Sequence, residues 1–207
     1  LILGSGGREH AFAWKISKSK HCKRLFIAPG NAGTKKCGKN VSLDILNFDQ
    51  IAEFSLENEI NMIVVGSEAP LVAGIYDYFQ SDLLKHINVV GPSKAGAQLE
   101  GSKDFSKRFM QRHDIPTANY ATFSGEQVEE GLAYLSTQAC PIVLKADGLA
   151  AGKGVLICET LAEAETEFKA MLSGKFGTAG SKVVIEQFLD GIEFSVFVFS
   201  DGTNYKI

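Results

Sequence analysis

The sequence predicts an α/β fold in its first hundred residues, because short apolar runs alternate there with helical patterns. Runs that are apolar throughout are typical of strands buried on both faces of a parallel sheet. Four of these runs end in glycine or proline, at the carboxyl ends where open sheets bind ligands. We therefore expect a Rossmann-like first part, with strands at 1–3, 25–27, 62–65 and 89–90 and helices at 8–17, 49–57 and 71–84.

The pattern changes after a transition over residues 91–102, and the second part is predicted to be α+β with antiparallel character. A helix is expected at 103–113, ended by the turn sequence Asp114-Ile115-Pro116. Two short β-branched runs flank a glycine-rich loop, which indicates strands. The remaining predicted elements are helices at 126–135 and 161–172 and strands at 142–144, 155–157, 183–187 and 194–199.

The composition is ordinary for a soluble globular protein, with 45% hydrophobic and 22% charged residues among 207. The 21 basic and 24 acidic residues give a net charge of −3 without a basic tract, which argues against nucleic-acid or anionic-membrane partners. No apolar run approaches the ~20 residues that span a bilayer. The four cysteines lack paired spacing and the four histidines are scattered, which favours reduced thiols, a cytoplasmic location and no zinc site.

The stretch Lys145–Val155, KADGLAAGKGV, is a glycine-rich loop with two lysines between apolar strands. Glycines let backbone N–H groups approach a ligand closely and lysines add positive charge, so the loop predicts a site for a nucleoside triphosphate. It is not a P-loop, because only three residues separate Gly148 from Gly152-Lys153, Gly154 replaces the hydroxyl residue, and a strand follows. A hairpin that covers phosphates from above is closer, and a solvated β-hairpin is the less favoured alternative.

Two lysines, Lys145 and Lys103, are further candidates for contact with the phosphates. Lys145 stands where an apolar strand should continue, and a buried lysine needs an anion, so phosphate is a reasonable partner. An outward-facing lysine at the strand end is the competing interpretation. Lys103 begins its helix, where a cation opposes the helix dipole; taken alone, it would be a solvated surface lysine.

The turn Gly4–His10, GSGGREH, joins the first strand to the first helix, whose N-terminus offers free N–H groups to an anion. A dinucleotide site is disfavoured, because Glu9 stands where its fingerprint needs a third glycine and no acidic residue closes the second strand. A smaller phosphate ligand stays open, as does a turn whose glycines serve only packing. Arg8 favours an anion, since a cation is unfavourable at a helix N-terminus without one.

Two acids, Glu186 and Glu193, flank the segment QFLDGI. A carboxylate at a strand end can accept a hydrogen bond from an exocyclic amine, and another can accept from ribose hydroxyls. Phe188 and Leu189 would supply backbone hydrogen bonds and an apolar surface for a ring. Taken alone, an exposed strand edge with solubilising acids is the better interpretation.

Taken together, five blocks resemble the glycinamide ribonucleotide synthetase (phosphoribosylamine–glycine ligase) family, ATP-grasp enzymes of purine biosynthesis. The blocks run in order along essentially the whole chain, and five in register are far more specific than one. One departure is Ser67, where the family usually has proline in G-P-E; it removes a rigid turn but no chemical group. The blocks are GSGGREH, APGNAGT at 28–34, GSEAPL at 66–71, the glycine loop, and IEQFLDGIE at 185–193.

The resemblance implies ATP-dependent ligation of glycine to 5-phosphoribosylamine through a glycyl phosphate, giving glycinamide ribonucleotide, ADP and phosphate. It implies a Rossmann-like substrate domain at 1–100 and the first part of an α+β ATP-grasp domain at 101–207. For ATP it implies contacts with Lys103, Lys145, Gly148, Gly152, Lys153, Gly154, Glu186, Phe188, Leu189 and Glu193. For the phosphoribosylamine side it implies Gly6, Gly7, Arg8, Glu9, Pro29, Gly30, Asn31 and Glu68.

The catalytic side chains and the ligands of Mg²⁺ or Mn²⁺ are expected beyond Ile207, in the missing carboxyl-terminal half, so the chain alone is expected to be inactive. An acyl phosphate must be shielded from water, which suits a mobile glycine lid. Transfer to a carboxylate needs positioning and charge neutralisation more than a nucleophilic triad. Two alternatives stay open: another ATP-grasp carboxylate–amine ligase or carboxylase, and a non-catalytic nucleotide-binding module.

Overall fold

Five parallel strands form the first sheet of the computed structural model, which describes residues 1–150 and 153–207. Their order is β3-β2-β1-β4-β5, so the first strand lies at the centre. The predicted parallel sheet is confirmed, with one additional short edge strand. The strands are β1 (Ile2–Gly4), β2 (Phe26–Pro29), β3 (Lys39–Asn40), β4 (Met62–Val65) and β5 (Asn88–Val90).

Five helices accompany this sheet: α1 (Gly7–Ile16), α2 (Phe48–Glu57), α3 (Glu68–Ala73), α4 (Ile75–Tyr78) and α5 (Lys94–Gly101). The single helix predicted at 71–84 is wrong, because Gly74 adopts a left-handed conformation with φ 103° and separates α3 from α4. The predicted transition at 91–102 contains α5, which begins where the Ser93 hydroxyl accepts a hydrogen bond from the Gly96 N–H.

A continuous apolar core joins the parallel sheet to its helices. Leu3 of β1 and Ile63 of β4 are fully buried together with Ile51 of α2 and Phe79, which follows α4. Each such side chain contributes about 1.5–3 kcal/mol when it is buried. The packing fixes the carboxyl ends of β1, β2 and β4 beside one another, as their parallel register requires.

The second sheet is antiparallel, in the order β6-β9-β7-β8, and confirms the predicted change of pattern. Leu135, Leu144, Phe168 and Met171 are fully buried between this sheet and two helices that cover it. A further helix precedes the sheet. The elements are α6 (Lys103–Arg112), β6 (Tyr120–Ser124), α7 (Val128–Leu135), β7 (Ile142–Ala146), β8 (Val155–Cys158), α8 (Leu161–Ala170) and β9 (Lys182–Gln187).

The strand predicted at 194–199 is wrong, since residues 193–198 form no regular element. Only β10 (Phe199–Ser200) and β11 (Tyr205–Lys206) pair there, as a short antiparallel hairpin. The segment 194–199 is apolar, consisting of valine and phenylalanine apart from Ser195, but Phe194 and Phe197 are both more than four-fifths exposed. An apolar run becomes a strand only where a neighbouring strand supplies hydrogen bonds and a core. None of the described helices is long and apolar enough to cross a membrane.

Gly131 of α7 lies directly against the ring of Phe168. A Cβ at this position would lie 2.3 Å from Phe168 Cζ and 3.3 Å from Phe123 Cγ. Because Phe168 is fully buried, we expect Gly131→Ala to lower the free energy of unfolding by about 1–3 kcal/mol, despite the better helix propensity of alanine. Urea denaturation measures this value. Gly125→Ala is the matched control, since its Cβ would meet nothing within 4 Å; equal stabilities of the two variants would contradict the prediction.

Candidate nucleotide-binding site

A cavity of about 960 Å³, here called the main cavity, lies between the start of α3, the helices α5 and α6, and the second sheet. Three lysines and two glutamates line it beside apolar side chains such as Met110, Leu149 and Leu189, and a further glutamate stands at the start of α3. Predicted residues from distant parts of the sequence therefore meet at one place. The charged residues of its wall are Glu68, Glu100, Lys103, Lys107, Lys145 and Glu186.

Glu186, Lys107 and Lys145 form an ion-pair cluster in the wall of the main cavity. Glu186 Oε2 lies 2.9 Å from Lys145 Nζ and 3.1 Å from Lys107 Nζ. Glu186 is 6% exposed, and its other oxygen, Oε1, is buried without a hydrogen-bond partner among the described residues. Oε2 thus accepts a hydrogen bond from Lys145 and forms an ion pair with Lys107, while Oε1 keeps its capacity to accept a hydrogen bond.

The antiparallel register of β7 and β9 explains how Lys145 meets Glu186. Glu186 pairs with Val143, and Lys145 lies two residues further along β7. Side chains two residues apart point to the same face of a strand, so Lys145 and Glu186 are diagonal neighbours. The anion that the sequence requires for Lys145 is therefore Glu186 in this structure. The phosphate contact predicted for Lys145 stays a prediction.

Asp147 joins the glycine loop to the first turn of α6. Its carboxylate accepts hydrogen bonds from the Ser102 hydroxyl at 3.0 Å and from the Asp104 N–H at 2.8 Å. Lys103 Nζ donates to the Gly148 carbonyl at 3.1 Å. A carboxylate at a helix N-terminus offsets the positive end of the dipole. Asp147 therefore supplies the anion that makes Lys103 tolerable at the start of its helix.

Burial is the main influence on the Lys103 side chain. Loss of solvent lowers its pKa from 10.5, and the neighbouring carboxylate of Asp147 opposes that shift. Asp147 was not predicted, although this acid is visible in the KADG segment, directly after the end of β7. Sequence alone could not show that this acid reaches back to a helix start.

The rest of the glycine loop is only partly described. Gly148 donates its N–H to the Ala179 carbonyl at 3.2 Å, which ties the start of the loop to the segment before β9. Ala146, the last residue of β7, donates to the Gly154 carbonyl at 2.7 Å, which extends the antiparallel pairing to the residue before β8. Lys153 is exposed. The loop therefore lies between antiparallel strands as predicted, and Gly152 lies outside the described residues.

Arg8 forms an ion pair with a carboxylate of the protein itself, that of Glu68. Its Nη1 lies 2.8 Å from Glu68 Oε1 and 2.9 Å from the Gly66 carbonyl oxygen. The hydrogen bond from Arg8 is the largest cause that lowers the pKa of Glu68. The inference that Arg8 needs a bound anion at the helix N-terminus is corrected, because Glu68 meets that need. The pair is largely exposed, so it contributes little to stability.

Glu9 is buried in a space lined by glycines and accepts a hydrogen bond from the Gly6 N–H. A Cβ at Gly66 would lie 2.2 Å from Glu9 Oε1, and one at Gly4 would lie 2.6 Å from Glu9 Cγ. Gly4 also has φ 130°, a conformation that favours glycine. Gly4 and Gly6 of the first turn therefore make room for Glu9, whereas a Cβ at Gly7 would meet nothing within 4 Å. A ligand at this turn stays a prediction.

A second cavity of about 490 Å³ lies beyond β2, lined by Pro29, Gly30, Asn31 and Lys35 among others. The Asn31 side chain donates to the Ser5 carbonyl at 2.8 Å and accepts from two loop N–H groups. Asn31 therefore holds the two turns together at the carboxyl ends of β1 and β2. Lys35 is exposed and places a cation beside this cavity.

The structure thus divides the predicted site residues into three groups. The main cavity brings together Glu68, Lys103, Lys145, Gly154, Glu186 and Leu189. The second cavity has Pro29, Gly30 and Asn31 in its wall. Neither of these cavities is lined by Gly6, Gly7, Arg8, Glu9, Gly148, Lys153, Phe188 or Glu193. Lys107, Met110 and Leu149 line the main cavity without having been predicted.

Comparison with known proteins identifies the family. The model of the phosphoribosylglycinamide synthetase N domain matches residues 1–100, and that of the ATP-grasp (A) domain matches residues 101–207. Phosphoribosylamine–glycine ligases of Pseudomonas syringae pv. tomato and Pasteurella multocida are 52% and 53% identical over 99% and 100% of the chain. These matches cover 47% and 48% of the two relatives, so the chain spans about half their length.

Solved structures agree with this result. The crystal structure of phosphoribosylamine–glycine ligase from Thermotoga maritima matches 99% of the chain and 47% of its own, with a TM-score of 0.77 and 35% identity. N5-carboxyaminoimidazole ribonucleotide synthetase from Thermus thermophilus matches 91% of the chain and 46% of its own, with a TM-score of 0.62 at 22% identity, a likeness of fold alone. The chain belongs to the phosphoribosylglycinamide synthetase family and matches its N and ATP-grasp (A) domains.

Proposed function

We propose that the chain is the amino-terminal part of an ATP-dependent ligase that joins glycine to 5-phosphoribosylamine. The products are glycinamide ribonucleotide, ADP and phosphate, and glycyl phosphate is the intermediate. The observation that carries the proposal is the main cavity, where Lys103 and Lys145 meet Glu186, a residue with one carboxylate oxygen that has no hydrogen-bond partner among the described residues. Membership of the family indicates the substrates glycine and 5-phosphoribosylamine. The charged groups of the main cavity suit the binding of ATP.

Adenine is proposed to lie against Glu186. An ionised carboxylate oxygen without a partner accepts well from the 6-amino group of adenine, and such charge-assisted bonds are stronger than neutral ones. Leu189 and Leu149 offer apolar surface to the ring. Glu193 is exposed and outside the main cavity, so a ribose contact from it requires a change in the segment after β9.

The phosphates are proposed to lie near Lys103 and Lys145. Both ammonium groups line the main cavity, and both have a single hydrogen-bond acceptor among the described residues, the Gly148 carbonyl for Lys103 and Glu186 for Lys145. Each lysine therefore retains donors for phosphate oxygens. The glycine loop begins beside Lys103, at Gly148, and is proposed to exclude water from an acyl phosphate.

The phosphoribosylamine side is proposed at the carboxyl ends of the parallel strands, from Glu68 to the second cavity. Lys35 supports this placement, since a cation there suits a ribose phosphate. The described residues contain no group of three or more His, Cys, Asp or Glu that fits Mg²⁺ or Mn²⁺. The ligands of the metal are proposed to belong to the other half of the family's fold. Four free cysteines support a cytoplasmic location.

The test is ADP release by the full-length protein that contains this chain. We expect release to require both glycine and 5-phosphoribosylamine, and residues 1–207 alone to bind ATP without forming glycinamide ribonucleotide. ADP release that is independent of glycine would favour another ATP-grasp ligase. ATP binding without any turnover in the full-length protein would favour a non-catalytic nucleotide-binding module.

The lowered pKa of Lys103 gives a pH prediction. A bound phosphate favours the charged lysine, so the Lys103 contribution to ATP affinity is complete below its pKa and lost as the pH rises through it. Because that pKa lies below 10.5, affinity should fall at a lower pH than for an ordinary lysine. Arginine stays charged, so Lys103→Arg should keep its affinity to higher pH. Isothermal titration between about pH 7 and 10 checks this, and coincident profiles would contradict it.

A further inference from the structure

Lys107 is the most constrained cation of the main cavity. It is 5% exposed, and its ammonium group donates hydrogen bonds to Thr117 Oγ1 at 2.8 Å and to the Ala118 carbonyl at 3.3 Å. It also forms an ion pair with Glu186 Oε2, at 3.1 Å. These three contacts and the burial of the side chain fix Lys107 in its position.

Lys145 differs from Lys107 in each of these respects. Its side chain is 29% exposed, and Glu186 Oε2 is its one acceptor among the described residues. It can leave Glu186 for a phosphate oxygen and exchange one anion for another. If Lys145 were the only ion-pair partner of Glu186, that movement would leave a buried carboxylate unpaired, which costs free energy.

We propose that Lys107 is a positioning residue that holds Glu186 by Oε2, keeps Oε1 presented to the purine base, and remains its partner when Lys145 turns to the phosphates. The inference rests on the proposed function, since it assumes that the main cavity binds ATP. It assigns different tasks to the two lysines that share one carboxylate oxygen.

Base selectivity follows from this arrangement. A fixed Glu186 Oε1 accepts from the 6-amino group of adenine, whereas the 6-oxo group of hypoxanthine would place one oxygen lone pair against another. A site built around a fixed hydrogen-bonding group rejects the analogue that lacks the matching donor. Without Lys107, the Glu186 side chain gains rotational freedom and turns away from the base when Lys145 leaves it.

The experiment compares the dissociation constants of ATP and ITP by isothermal titration of the full-length protein. We expect the wild type to prefer ATP by about 100-fold. Lys107→Gln removes the charge and keeps a side chain of similar length. It should reduce the preference for ATP over ITP below about tenfold, mainly by weakening the binding of ATP. Lys107→Arg restores the charge and should recover most of the preference. Arg112→Met, an exposed change on the same helix, is the matched control and should behave as the wild type.

The outcomes separate the two proposals. If Lys107→Gln weakens ATP and ITP equally, Lys107 has only a structural role and the inference is overturned, while the proposed function stands. If the wild type binds neither nucleotide, the proposed function fails first. If circular dichroism shows that Lys107→Gln is unfolded, Thr117→Val is measured in its place. This variant removes one hydrogen-bond acceptor of Lys107 and leaves the charge of Lys107 unchanged. The ATP preference should then fall about threefold, and an unchanged preference would overturn the inference.

Discussion

Glu186→Ala is expected to lower the free energy of unfolding by about 3–5 kcal/mol, because it leaves a buried ammonium without its carboxylate. Lys107 would be the unpaired cation, since its side chain is 7% exposed and Glu186 is its only ion-pair partner among the described residues. Glu186→Gln should cost less, because the amide oxygen keeps a polar group beside the ammonium of Lys107 and can still accept a hydrogen bond from Lys145. Both variants should also lose ATP affinity, since neither presents a charged acceptor to the base.

Urea denaturation followed by circular dichroism measures these differences. Glu130→Ala is the matched control: this exposed glutamate of α7 forms none of the described ion pairs, and its loss should change stability by less than about 0.5 kcal/mol. If Glu186→Ala unfolds at the same urea concentration as Glu130→Ala, the ion-pair cluster does not contribute to the fold as described.

Lys145→Ala is expected to leave the fold nearly intact and to weaken ATP binding by about 100-fold. Stability should change by no more than about 1 kcal/mol, because Lys145 is partly exposed and Lys107 remains on Glu186. Affinity should fall because a cation aimed at the phosphates is lost. The combination of small stability loss and large affinity loss distinguishes Lys145 from Glu186.

Isothermal titration with ATP, together with thermal unfolding, measures both quantities. Lys169→Ala, at an exposed lysine in the last turn of α8, serves as the control for the loss of one positive charge. An ATP dissociation constant of Lys145→Ala equal to that of Lys169→Ala would show that Lys145 does not face the phosphates.

Much of the fold could be predicted because buried strands leave a strong pattern. β1 and β4 are continuous apolar runs closed by glycine, and both lie at the predicted places. The elements that were missed carry little of this signal. β3 has two residues, and α5 contains two glycines with few apolar side chains. The break at Gly74 depends on a left-handed conformation that a helical pattern does not reveal.

The chemistry of the site was less predictable, because its contacts join residues distant in sequence. Lys145 and Glu186 were both predicted, yet they are 41 residues apart and meet only because β9 pairs with β7. Lys107 gave no signal, since a charged residue in an amphipathic helix normally faces solvent. In α6 Asp104 and Lys107 are buried, whereas Phe105 is 39% exposed. Lys107 is buried because it faces the main cavity and Glu186.

A crystal structure of the full-length protein with a non-hydrolysable ATP analogue tests most directly whether the main cavity binds ATP. We predict that the 6-amino nitrogen of adenine lies within about 3.2 Å of Glu186 Oε1. Lys107 should remain on Oε2, and Lys103 and Lys145 should contact phosphate oxygens. A base bound away from Glu186, or phosphates located at the second cavity beside Lys35, would contradict this prediction.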